Sequence, residues 1–384
     1  MAEKIRRQIL LNRVAAFAGA LTMLSSTAQD SQTSPPPAAA ASAPDTASHL
    51  TITGNPGAFD VQQMRENFRA AVLPIAYERA IVAGKTHDEA TRIVSDYIPE
   101  RTDFSILRHK NSTAIVTYNR DKGRAIVAFD ATDEVGDVID DLKVWGKAHP
   151  LGGTTHSGIS NAQFYQDKQG STLVGRVQQE LKSLSAGQPV TLSLTGFSRG
   201  GAQATGTAAN WIVAQQNADG VAPVPNAKLT SVYTFGGLPF GDKDFSVAYG
   251  KATANLGIEH WRVIGGDDST QKNMTTEAWY GKDLYRHVGT SVYMLPLGDG
   301  GTEFRVAAPL TVYEQKTLAQ TNWHDPNTYS DLVGLPTIKM TVDGKRIPAA
   351  EGAKPNEPAA KGQPQKISRA RPLVPQNNVS SLRL

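Results

Sequence analysis

Hydrophobic positions along the chain change their period several times, and each change predicts an element. From Asp60 to Ala83, apolar residues recur at helical spacing (Val61, Met64, Phe68, Val72, Ile75), with Pro74 predicting a kink or a break. Asp88–Ile98 predicts a second helix. Ala114–Tyr118 and Arg124–Phe129 are β-rich runs, and the Asn119–Gly123 segment between them (NRDKG) supplies turn residues, so a hairpin is expected. After Asp130-Ala131-Thr132, residues Val135, Val138, Ile139 and Leu142 share one helical face, mostly opposite Asp133, Glu134, Asp137, Asp140 and Asp141. Val190–Phe197 is an uncharged run of alternating β-branched and leucine residues that reads as a strand, and Thr207–Gln216 reads as a helix. Further strands are expected at Leu229–Phe235 and Glu259–Ile264, with Thr337–Val342 and Asp343-Gly344 as a late strand and turn. Strands and helices in this alternation predict an α/β class, with a mixed or parallel sheet covered by helices.

The two ends have a different composition. In Met1–Ala28, Lys4, Arg6, Arg7 and Arg13 precede the apolar stretch Val14–Leu24, and the small residues Ser26-Thr27-Ala28 follow. This is the layout of an export signal that is cleaved, which predicts an exported protein, periplasmic or secreted. The run from Arg6-Arg7 is similar to a twin-arginine signal, although Ile5 stands where Ser or Thr usually precedes the pair. Residues 29–49, with SPPPAAAASAP at their centre, predict a linker, and residues 349–384 a disordered basic tail. The domain is therefore expected over residues 50–348, and no apolar run within it is long enough to make the body integral to a membrane.

Composition narrows the function classes. The chain has 384 residues, 40% of them hydrophobic, enough to bury a core. Its net charge of +3 comes from the ends. Met1–Ala28 carries four Lys or Arg against Glu3, and Lys345–Leu384 carries eight against Glu351 and Glu357, which leaves the body near −6. The basic balance thus gives no support to a nucleic-acid partner. There are no cysteines, which excludes disulfides, a thiolate nucleophile, cysteine-ligated metals and a lipid-modified cysteine. The eight histidines are scattered without an H-x-x-x-H pair, so neither a metal nor an organic cofactor is expected.

The candidate chemistry lies at Gly196-Phe197-Ser198-Arg199-Gly200, a G-x-S-x-G sequence between the strand ending at Phe197 and the small residues that lead into a helix. A nucleophile elbow needs this pattern: glycines flank a turn too tight for Cβ atoms, and the serine sits in strained backbone that lifts its Oγ clear of the sheet. A serine nucleophile needs a base, an acid that orients the base, and donors for the oxyanion, in the chain order Ser, Asp, His. Asp267 and Asp268 both follow a strand, and His287 and His324 both lie downstream, so the residues alone leave the acid and the base open. The backbone N–H of Arg199, next after the serine, is one expected oxyanion donor.

Several motifs occur together and in order: Arg124–Leu142, Thr155-His156-Ser157-Gly158, Gly196–Gly201, Tyr233–Phe245 (YTFGGLPFGDKDF), Trp261–Asp268 (WRVIGGDD), Tyr285–Gly289 and Asn322–Leu332 (NWHDPNTYSDL). Over roughly Arg124 to Leu335 the chain resembles the class 3 lipase family, the fungal triacylglycerol lipases and plant phospholipases A1 of the α/β-hydrolase fold. The resemblance implies Asp268 as the acid and His324 as the base, with Tyr329 the aromatic residue that follows the histidine, and His287 as the alternative base. It also implies Thr132 as the second oxyanion donor, a role compatible with capping the helix that begins there. That helix stands where the fungal lipases carry a lid; an apolar helical stripe of this kind also suits a fixed core helix. The implied reaction is hydrolysis of a lipid or other acyl ester through an acyl-enzyme, with transient contact at a lipid surface. The alternatives are a phospholipase A1 or acyltransferase with the same triad, and a catalytically silent lipase-like binding protein. The sequence departs from the family pattern at Asp130-Ala131, where Arg-Gly is usual, at Phe197 and Arg199, where His and Leu are usual, and after Asp268, where Ser269-Thr270-Gln271 stands.

Overall fold

The computed structural model describes residues 50–54, 57–109, 112–131, 146–164, 166–167, 170–216, 223–266, 268, 285–297, 301–307, 324–333, 335, 341–342 and 345–346. The chain divides into two units, Met1–Ala47 and Ser48–Leu384, and all described residues belong to the second. The expected signal, linker and basic tail, the helix after Thr132 and the turn Asp343-Gly344 lie outside the described residues.

The principal strands are β1 (Leu50–Gly54), β2 (Thr102–His109), β3 (Ser112–Asn119), β4 (Arg124–Phe129), β7 (Val190–Phe197), β8 (Ala227–Phe235), β9 (Glu259–Gly265), β10 (Thr290–Pro296) and β11 (Thr302–Val306). Gly146–Ala148 (β5) and Thr154–His156 (β6) form one small ladder, and Thr341–Val342 (β12) and Lys345–Arg346 (β13) another. The helices are α1 (Val61–Val82), α2 (His87–Ser95), α3 (Ser157–Phe164), α4 (Leu173–Ser185), α5 (Arg199–Gln216), α6 (Lys243–Leu256) and α7 (Pro326–Leu332). Nine strands form one sheet in the order β1-β11-β10-β9-β8-β7-β4-β3-β2. From β10 through β9, β8 and β7 to β4 every neighbour is parallel, whereas β11, β3 and β2 join antiparallel. This largely parallel sheet between helices is the α/β-hydrolase fold.

Burial on both faces explains the strand sequences. In β7 only Thr191 is exposed, so the strand reads as a near-continuous apolar run, as a covered parallel strand must. Leu192 and Leu194 pack with Val177 and Leu181 of α4 and Trp211 and Ile212 of α5. Phe197, Tyr233, Phe235 and Val263 belong to a second cluster with Phe68 and Val72 of α1 and Tyr329 of α7. That packing also decides the fate of Pro74: α1 runs unbroken through it, because the helix is buried from Ala70 to Tyr77 and tertiary contact outweighs the lost backbone hydrogen bond.

Helix starts follow local chemistry. Asp60 accepts from the N–H groups of Gln62 and Gln63, Thr86 and Glu89 form a reciprocal capping box, and Asp242 accepts from Phe245 N at 2.8 Å. The hairpin forms as expected, with Asn119 opposite Arg124. The expected late strand is present only as Thr341–Val342 among the described residues, and the helix after the elbow begins at Arg199 rather than Thr207. Register puts Phe129 beside Gly196, Phe197 beside Phe235, and Phe235 beside Val263. The carboxyl ends of β4, β7, β8 and β9 therefore stand together, where ligands of open α/β sheets bind. No helix among the described residues is long and apolar enough to cross a membrane.

One buried group ties stability to pH. His260 of β9 is buried with its Nδ1 3.0 Å from the hydroxyl of Tyr249 in α6, and burial, reinforced by the positive charge of Arg262, lowers its pKa to about 3. An unfolded histidine titrates near 6.5, so between about pH 6.5 and 3 the unfolded chain binds a proton that the folded chain refuses, and stability falls as the pH falls. His260→Gln should flatten that slope. Between pH 7.5 and 4.5 wild type should lose about 2–3 kcal/mol more than the variant in urea unfolding, and equal losses would remove His260 as the cause.

Candidate active site

The strand β7 ends at Phe197, and α5 begins two residues later, so the turn between them has one residue to reverse direction. That residue is Ser198, whose φ of 54° lies in the left-handed region that a side chain rarely occupies. Its N–H donates to the carbonyl of Phe235 at 2.8 Å, and its own carbonyl accepts from Gly201 N at 3.0 Å, which locks the strained backbone from both sides. The flanking glycines are required by close approach. A Cβ on Gly196 would overlap the backbone of Gly200, and one on Gly200 would overlap the carbonyl of Phe129 at the end of β4.

Two other segments bring side chains to this serine. His324, just ahead of α7, has Nε2 2.9 Å from Ser198 Oγ and Nδ1 3.0 Å from Asp268 Oδ2. Asp268 follows the end of β9 and is 1% exposed. An ionised carboxylate only accepts, so Nδ1 carries the proton and donates it to Asp268, which leaves Nε2 to accept the serine hydroxyl. His324 keeps 22% of its side chain exposed while Ser198 is 9% exposed, so the imidazole is the more accessible of the two. Phe197 supports the imidazole from one face, stacked with ring centroids 5.0 Å apart.

Tyr329 is the residue whose contact here the sequence did not predict. It lies one turn into α7, is fully buried, and donates its hydroxyl to the same Asp268 Oδ2 at 2.8 Å. Burial and the adjacent Asp268 charge push its phenol well above the ordinary range, so it remains a donor. The only sign of it in the sequence is an aromatic residue five positions after His324.

Arg199 has a side chain with its own task. The guanidinium is buried and donates to Asp130 Oδ2 at 2.9 Å and, from the same nitrogen, to the carbonyl of Ala131 at 3.4 Å. Two departures from the family pattern, on opposite sides of the elbow, are thus a single buried ion pair. Removing one partner of such a pair costs about 3–5 kcal/mol, because the other charge stays buried.

Of the predicted residues, Ser198, Asp268, His324 and the main chain of Arg199 come together. His287 sits on the loop next to Arg286, which bridges to Gly241, and its carbonyl accepts from Ser246 Oγ at 3.4 Å. Thr132 and Asp267 lie outside the described residues. Residues 126–274, from within β4 to just past Asp268, match the family model for Lipase (class 3). Over this stretch the chain is similar to the class 3 lipases.

Among solved structures, the chain is similar to the native Rhizomucor miehei lipase propeptide complex. The identity is 20%, over 77% of this chain and 88% of that one, with a TM-score of 0.48. It is similar to the lipase from Rhizopus microsporus var. chinensis at 19% identity, over 77% and 98% of the two chains, with a TM-score of 0.47. It is also similar to a triacylglycerol lipase from Penicillium expansum at 16% identity, over 64% and 84%, with a TM-score of 0.41. Among curated proteins, none matches the chain.

Tyr329→Phe tests the second donor on Asp268. Loss of a buried hydrogen bond to a carboxylate should lower stability by about 1.5–3 kcal/mol in urea unfolding. Ester turnover should fall about tenfold in kcat with KM unchanged. A variant of wild-type stability and rate would show that the phenol does not hold the carboxylate.

Proposed function

We propose that this chain hydrolyses carboxylic esters of lipids through an acyl-enzyme on Ser198, with His324 as base and Asp268 as its orienting acid. The observation that carries this reading is the relay of Ser198 Oγ to His324 Nε2 at 2.9 Å and His324 Nδ1 to Asp268 Oδ2 at 3.0 Å, behind a strained elbow. Ser198 Oγ attacks the ester carbonyl as its proton passes to Nε2, and the imidazolium so formed is stabilised by the buried carboxylate. His324 then protonates the leaving alkoxide, and a water activated by the same nitrogen hydrolyses the acyl-enzyme. The oxyanion is met by the N–H of Arg199, which opens α5 where the helix dipole also favours negative charge. The second donor is assigned to Thr132 by resemblance.

A fluorophosphonate probe should label Ser198 in wild type and not in Ser198→Ala. On a soluble p-nitrophenyl ester, Ser198→Ala and His324→Ala should each lose kcat/KM by about a thousandfold or more, because members of a triad act as a unit. Asp268→Asn should lose comparably by favouring the wrong tautomer, whereas Asp267→Asn should not. His287→Ala should cost no more than about tenfold. Activity retained in His324→Ala and lost in His287→Ala would move the base to His287, and absence of any adduct at Ser198 would favour the silent binding protein.

Triacylglycerol, phospholipid and other acyl esters all fit this chemistry, and comparison of their hydrolysis by the purified chain decides among them. The Met1–Ala28 segment extends the proposal to export. Material recovered from a bacterial periplasm should begin near Gln29, and Met1–Ala28 found intact by mass spectrometry would overturn that part.

A further inference from the structure

We propose that the buried Asp130–Arg199 pair is the positioning element of the oxyanion site, holding the end of β4 against the first turn of α5. The inference rests on the hydrolase reading above and adds to it a role for two side chains that the triad does not use.

Both parts of the main chain expected to bind an oxyanion are involved. Arg199 supplies its backbone N–H from the position after Ser198, and its guanidinium reaches back across the elbow to Asp130, the first residue after β4. The same nitrogen lies 3.4 Å from the carbonyl of Ala131, the residue that leads directly into position 132, where the second donor is expected. One side chain therefore joins the residue that supplies the Arg199 N–H to the chain at the end of β4, one residue short of position 132. The guanidinium is 1% and the carboxylate 4% exposed, so solvent does not screen the attraction.

The segments are also too close for the link to be loose. A Cβ on Gly200 would fall 2.8 Å from the carbonyl oxygen of Asp130, so the backbone of α5 touches the chain that leaves β4. On the far side Asp130 N donates to Thr113 O of β3 at 3.0 Å, and Phe129 is paired with Gly196 across β4 and β7. Backbone contacts thus fix where Asp130 starts, and the guanidinium holds Asp130 and the Ala131 carbonyl together. Two apolar residues of similar volume would fill this space at equal or better stability. They would not fix direction as a planar guanidinium does when it binds a carboxylate and a carbonyl together. Donors must lie within a few tenths of an ångström of the developing charge, so direction is what catalysis needs here.

The test compares the full chain with Asp130→Asn/Arg199→Gln, in which neither buried charge is left alone, and with Arg199→Lys, which keeps the charge but not the planar guanidinium. The readouts are kcat and KM on a soluble p-nitrophenyl ester, per active site titrated with a fluorophosphonate, and inhibition by a trifluoromethyl ketone, whose adduct with serine carries an oxyanion. In the double variant kcat should fall about 10–100-fold with KM within about threefold, and the ketone should weaken by the same factor as kcat. Arg199→Lys should fall between the two, and it alone decides the matter if the double variant does not fold. Variants with wild-type kcat per active site and wild-type affinity for the ketone would overturn the inference and leave the hydrolase reading standing. A wild-type chain that turns over no ester and takes no probe would overturn both.

Discussion

Everything at the site depends on one steric constraint, the reversal of the chain at a single residue between β7 and α5. Ser198 accepts a left-handed φ of 54°, an arrangement that costs about 1–2 kcal/mol in isolation. The cost is offset by what surrounds it: two locked hydrogen bonds, glycines that let α5 lie directly on the end of β4, and strands on both sides that end in register. The same reversal that presents the hydroxyl also presents the first N–H of a helix beside it. The proposed nucleophile and the proposed oxyanion donor are two consequences of one turn.

The second constraint is electrostatic. Asp268 is a carboxylate almost wholly removed from water, and such a group is tolerated only where donors converge on it. His324 and Tyr329 both reach Oδ2, and both come from the segment around α7. Because the acid can only accept, it fixes the imidazole tautomer, and because burial and the adjacent carboxylate hold the phenol protonated, Tyr329 meets Oδ2 as a second donor. The polarity of the whole relay is set by one buried charge.

The parts of this that were legible in the sequence are those set by local rules. The elbow shows because only glycine fits at positions 196 and 200, and the hairpin of β3 and β4 shows because NRDKG can only turn. The strands β1 and β10 do not show, since each has a partner far away in the chain: Leu50 pairs with Thr302, and Thr290 with Trp261. Helix α4 is not among the predicted elements although Leu173, Val177, Leu181 and Leu184 have helical spacing and are buried, so its signal was present. The choice of His324 over His287 rested on resemblance, because 126 residues separate it from Ser198 and only the topology brings the two together. The ion pair of Asp130 and Arg199 was visible as two departures from the family pattern. Their opposite charges were the clue that they belong together.

The placement of His324 finally depends on packing at a distance from the chemistry. α7 is seven residues long, too short to be stable alone, and is started by Asp325, which accepts from Asn327 N, with Pro326 at the first turn. What holds it is its buried face. Tyr329 lies edge-on to Phe197 at 5.2 Å and stacked on Phe68 of α1 at 6.2 Å, and Phe68 in turn meets Phe235 of β8 edge-on at 5.0 Å. The aromatic cluster therefore joins the strand before the serine, the helix after the histidine and a helix that contributes nothing to the chemistry. Phe197 has a place in both sets of contacts, stacking on the imidazole with one face and packing against Tyr329. A residue that replaces the histidine usual at this position in the family thus fastens the base to the elbow through dispersion rather than through a hydrogen bond. The elbow and α7 are packed into one shared core cluster, and His324 stands between them, stacked on Phe197.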